Sequence, residues 1–148
     1  MQALLGLLAL LAAPTPAWSA VAPVDDTGTV VETVAATLRW REDNPARGSA
    51  ADAGAVVRLV LNTQPWLGRR VRIHMALAAL PVRLGVSWTS QGKVLAGRLE
   101  PGQRVLLYEG LITTPLLTDR LQLSVTADGR DLTAPLQLQF SQDIEVLP

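Results

Sequence analysis

His74 is the first residue to test for chemistry, because it is the only histidine in the chain and imidazole is the side chain best suited to moving protons near neutral pH. It stands in Arg70-Val71-Arg72-Ile73-His74-Met75-Ala76-Leu77, where apolar and polar residues alternate strictly. A strand with that pattern turns His74 to solvent, between Arg72 and Ala76, where a lone surface histidine is the expected reading. The chain has no cysteine, so thiolate catalysis, thiolate metal sites and disulfides are all excluded. No Gly-x-Ser-x-Gly or His-Glu-x-x-His occurs, and the glycines never form a phosphate cradle. Three carboxylate pairs could attract calcium: Asp25 with Asp26, Glu42 with Asp43, and Asp128 with Asp131. None has the dense oxygen spacing of a calcium loop, and all read as solvated turn charges. The one basic cluster is Arg69, Arg70 and Arg72, with Trp66 close by. Arginine beside an aromatic can stack on a base or grip an anionic sugar, so these four are the candidate surface-binding residues. The expectation is a protein that is not an enzyme and carries no cofactor and no metal.

Composition points the same way. Of 148 residues, 49% are hydrophobic and 18% charged, which suits a packed domain rather than a disordered chain. Thirteen basic and thirteen acidic residues cancel. Such a balance offers neither a nucleic acid nor a membrane surface a strong electrostatic grip. Residues 4–13 form an apolar run too short to cross a bilayer of about 30 Å as a helix. Pro14 and Pro16 follow it, and Ala17-Trp18-Ser19 supplies small residues at −3 and −1 of a cleavage site. Residues 1–19 are therefore expected to be a secretory signal, although no Lys or Arg precedes the run. The mature chain is expected to be exported and free of the membrane after cleavage.

The elements that must position any site are strands. Residues 20–28 are small and turn-prone and are expected to be a flexible N-terminal segment. Residues 29–40 read as a strand with Val34, Ala36, Leu38 and Trp40 on one face. Pro45, Gly48 and Gly54 among charged residues predict a polar loop over 41–54. Period-two patterns then recur in 55–61, 70–77, 82–89, 93–99, 104–110, 120–126 and 136–141, trailing into Ile144 and Val146. Between them stand Ser90-Gln91-Gly92, the Pro-Gly turn at 100–103, a loop over 111–118 and Asp128-Gly129. No helix is predicted after the signal. Seven to eight short strands with close turns predict one all-β domain over 29–148, an immunoglobulin-like antiparallel sandwich, with an up-and-down barrel as the alternative.

Three stretches carry a resemblance to the pilins of chaperone–usher fimbriae, within them to the class 5 (alpha-type) major subunits. Thr33-Val34-Ala35-Ala36 lies where those pilins carry a donor strand. Arg69 to Leu77 resembles their basic-led middle strand, and Val86-Ser87-Trp88 followed by Gln91-Gly92-Lys93-Val94-Leu95 resembles their Val-Ser-Trp hairpin. The chain departs from the family in its insertion at 41–54 and in its charged end, Asp143-Ile144-Glu145.

The resemblance implies a sandwich that lacks one strand, filled by the N-terminal segment of the next subunit. It would make Val30, Val34, Ala36 and Leu38 the donor-strand residues, with Glu32 a misfit on that face. It also implies identical or related subunits as partners, a periplasmic chaperone and an usher during assembly, and a place in an adhesive fimbrium at the cell surface. The alternative is a self-contained periplasmic or secreted immunoglobulin-like module that binds or scaffolds without catalysis, its 29–40 strand completing its own core.

Overall fold

The computed structural model describes residues 21–35, 50–128 and 137–148. The expected signal, Ala36, Leu38, Trp40 and residues 41–49 of the expected loop lie outside the described residues, as does Gly129 of the Asp-Gly turn. The strands are β1 (Val21–Pro23), β2 (Val30–Ala35), β3 (Ala50–Asn62), β4 (Arg70–Leu77), β5 (Leu84–Ser90), β6 (Gly97–Leu99), β7 (Arg104–Leu111), β8 (Leu116–Asp128) and β9 (Phe140–Val146). They form two antiparallel sheets, one in the order β1-β9-β4-β7 and the other β2-β3-β8-β5-β6. The fold is an all-β sandwich, not a closed barrel.

Alternation builds the core as expected. Along β4, Val71, Ile73, Met75 and Leu77 are buried, while Arg70, Arg72, His74 and Ala76 take the outer row. Val86 and Trp88 of β5 face them from the second sheet, with Leu59 and Leu61 of β3 and Leu117 and Leu121 of β8. Each fully buried Val or Leu contributes about 1.5–3 kcal/mol against exposure, so this interleaved layer carries the fold. The Pro-Gly turn closes as read: the Gln103 amide donates to the Glu100 carbonyl at 3.0 Å, with Gly102 at φ +82°.

Several boundaries differ from the sequence reading. The expected loop over 41–54 ends earlier, because Ala50 to Gly54 extend β3 and pair with Ser124 to Asp128. Small residues with weak strand preference are recruited by a long partner whose backbone groups need the ladder. The segment expected to be flexible, 20–28, contains β1, which pairs Val21 with Glu145 and Pro23 with Asp143. The charged end at 143–145, named above as a departure from the pilin pattern, is strand. It is the middle of β9, with Ile144 fully buried and Asp143 and Glu145 on the outer row beside β4. Conversely, only Gly97–Leu99 of the expected 93–99 strand is strand, and Val94 is buried as part of a loop.

Seven of the nine strands among the described residues follow the order of an immunoglobulin-type sandwich with one substitution, and β6 and β7 are additional edge strands. There the edge beside the penultimate strand is closed by a final strand. In this chain β9 is final and takes the penultimate place, next to β4. The edge position falls to β1, which comes from the other end of the sequence.

Candidate functional site

The free side of β9 is covered only in part. β9 has seven residues, and β1 covers three of them, Asp143 to Glu145. One further bond continues the ladder, the Val24 amide donating to the Gln142 carbonyl at 3.0 Å. Side chains alternate here too: Val21 and Pro23 are exposed, Ala22 packs partly buried against the core, and Val24 is buried at 7% exposure. The N-terminal segment therefore does two things, closing backbone groups on β9 and inserting Ala22 and Val24 between the sheets.

Beyond Val24 the chain is tied down to its own second sheet. The Asn62 amide donates to the Asp25 carbonyl at 2.9 Å. Thr29 Oγ1 donates to the Val60 carbonyl at 3.2 Å and accepts from the Val60 amide at 3.0 Å. Between them Asp25 Oδ1 accepts from the Thr27 amide at 3.0 Å, and hydrogen bonds from Thr27 hold the Asp25 carboxyl below its ordinary range.

The expected donor residues are placed differently. Val30 and Val34 do not share a register parity, because the β2–β3 pairing shifts between Val31 and Thr33. A bulge inserts one residue and breaks the period of two. Val30 stands opposite exposed Arg58 and is itself 46% exposed, whereas Val34 pairs with Ala55. Glu32, at the bulge, pairs with Arg120 on the outer surface. Within this chain β2 spends one edge on β3. The residues that enter the core beside β9 are Ala22 and Val24, which the sequence reading passed over. Their signal was faint, two apolar residues two apart in a turn-rich stretch.

The candidate surface-binding residues separate as well. Trp66 lies in a short 3-10 turn, Gln64–Trp66, and is half-buried against the core rather than presented as a platform. Arg69, Arg70 and Arg72 are exposed. Arg72 is flanked on the outer face by Glu145 and Glu109, with Nε 3.2 Å from Glu109. Its charge is thus largely answered on its own sheet.

His74 occupies the outer row of β4, between Asp143 and Leu106. Its Nδ1 is 3.7 Å from the Asp143 carboxylate and has no hydrogen-bond partner among the described residues. Asp143 is held by Arg104, whose Nε donates to Oδ2 at 2.9 Å and whose Nη2 donates to Oδ1. That bidentate pairing raises the Arg104 guanidinium above its ordinary value. The trio links β4, β7 and β9 across the outer surface. Among the described residues no group of three His, Asp or Glu side chains is arranged to hold a metal ion. Comparison of the chain with protein-family models, curated proteins and solved structures finds no match.

Proposed function

We propose that this chain is an exported structural subunit that polymerises by strand exchange into an adhesive surface fimbria, with the segment around Ala22 and Val24, rather than 30–38, as the strand a neighbour receives. One observation carries the reading: the edge of the final strand β9 is closed by a three-residue strand from the far end of the same chain. A short terminal strand can be replaced by its copy from a second molecule, which makes identical contacts. The exchange then loses and regains the burial of Val24, about 1.5–3 kcal/mol, and concentration decides which arrangement is populated. The bonds from Asp25 and Thr29 to β3 stay within the home subunit, so the crossover falls at Val24 and Asp25. A chaperone that protects the β9 edge and an usher that delivers subunits belong to this reading through the resemblance to pilins.

The absence of cysteine makes the test direct. Val21→Cys with Glu145→Cys puts two thiols at paired positions. Oxidation of concentrated protein should give a ladder of disulfide-linked oligomers on a non-reducing gel. Only intramolecularly bridged monomer, at every concentration, would overturn the proposal. That outcome would favour the second reading, a self-contained immunoglobulin-like binding or scaffold module. Its supporting observation is that β1 closes the sandwich within one chain.

A further inference from the structure

The structure assigns a ligand site to the opposite side of the molecule from the β9 edge: a concavity on the outer face of β8, β5 and β6 that fits an acidic sugar, a hexose bearing one carboxylate. It is an open cavity of about 610 Å³. Its floor is Gly85 of β5 with its cross-strand partner Thr126 of β8, and Arg98 of β6 adjoins it from the far side. The segment 80–84 and the turn at Glu100 and Pro101 form its rim.

Three features make this a site rather than a dimple. Arg98 lies flat over Gly85, where a Cβ would come within 2.9 Å of Nη2, so the missing side chain is what lets the guanidinium rest on the sheet. Arg83 lines the same cavity, and neither arginine has an ion-pair partner among the described residues. Leu80, Val82 and Pro101 supply an aliphatic wall. Two planar guanidiniums match a carboxylate better than a point charge does. The cavity also contains the carboxylates of Glu100 and Asp128, which offset the field that a bare anion would feel. A ligand with one carboxylate and several hydroxyls uses both kinds of group: the carboxylate on Arg83 and Arg98, the hydroxyls on Glu100 and Thr126, and the ring C–H face on the aliphatic wall. This assignment does not depend on strand exchange.

The test is titration of the folded, purified protein with D-glucuronate, D-glucose and acetate, followed by amide chemical shifts. Glucuronate is expected to move the amides at 83–85, 98–101 and 126–128 saturably, with glucose and acetate each at least about tenfold weaker, the scale set by losing charge-assisted hydrogen bonds. Arg98→Gln and Arg83→Gln should each weaken glucuronate by a similar factor at unchanged melting temperature. Gly85→Val, which pushes the guanidinium off the sheet, should do the same. Arg58→Gln, at an exposed arginine outside the cavity, should leave binding unchanged. No saturable shift with glucuronate, equal response to glucose, or full binding by Arg98→Gln would each overturn the assignment.

Discussion

Glu32 and Arg120 are 3.0 Å apart although their strands are not neighbours. β3 lies between β2 and β8, so the pair reaches across it on the outer face of the five-stranded sheet. Alternation from Val30, which stands opposite exposed Arg58, already places Glu32 on this outer face, and the bulge shifts the register of the residues after it.

Exposed pairs of this kind contribute little, and Arg120 and Glu32 retain 57% and 30% of their side-chain exposure. Glu32→Val should therefore change the unfolding free energy by less than about 1 kcal/mol. Its larger effect should be on association, because an edge strand reading Val-Val-Val has lost the charge that discourages pairing with another chain. Light scattering across a concentration series should show more self-association than wild type. Unchanged scattering, or a large loss of stability, would contradict this account of the edge.

Asp119 is a carboxylate on the inward row of β8, opposite Leu59 and only 8% exposed. Ser90 Oγ donates to its Oδ2 at 2.6 Å and the Val94 amide donates to the same oxygen at 2.9 Å. Asp119→Ala leaves that buried amide unsatisfied and should cost about 1–3 kcal/mol in denaturant unfolding. The amides of 91–95 should lose hydrogen-exchange protection before the rest of the sheet. Uniform protection across the variant would show that the carboxylate does not pin this loop.

Trp88 donates from Nε1 to the Leu95 carbonyl at 2.9 Å, and its ring lies against Gly97. A Cβ at 97 would stand 2.6 Å from the indole. Gly97→Ala should destabilise by about 1–3 kcal/mol, the range for overpacking a filled core, and should shift tryptophan emission. Tolerance of alanine with unchanged emission would mean the ring has room that this packing denies it.

Asp25 gives the pH dependence a sign. Hydrogen bonds from Thr27 hold its carboxyl below the ordinary 3.8 in the folded chain. A group depressed on folding stabilises only while ionised, so its contribution is present above about pH 4 and is lost as pH falls through the folded value. A carboxyl-carbon NMR titration should place the Asp25 midpoint below 3.8, and Asp25→Asn should abolish the acid-linked rise in Thr27 amide exchange. A midpoint at or above that value would sink the argument.

The sandwich, the inward rows and the turn at Gly102 were legible in the chain because they depend on neighbours within a few residues. Alternation in Val71 to Leu77 dictates which side chains leave water whatever strand lies alongside. Long-range pairing is not written locally. Nothing in Ala50 to Gly54 marks a strand until β8 offers a ladder, and nothing in Val31-Glu32-Thr33 announces the bulge that separates Val30 from Val34. The charged stretch Asp143-Ile144-Glu145 lies within β9, where Arg104 reaches across β4 to Asp143 and Arg72 stands opposite Glu145. By itself the sequence determined an all-β chain with an apolar layer and no catalytic constellation in its motifs. Tertiary structure alone decided that β1 closes the free side of β9, because backbone groups far apart in the chain are satisfied by proximity in space rather than in sequence.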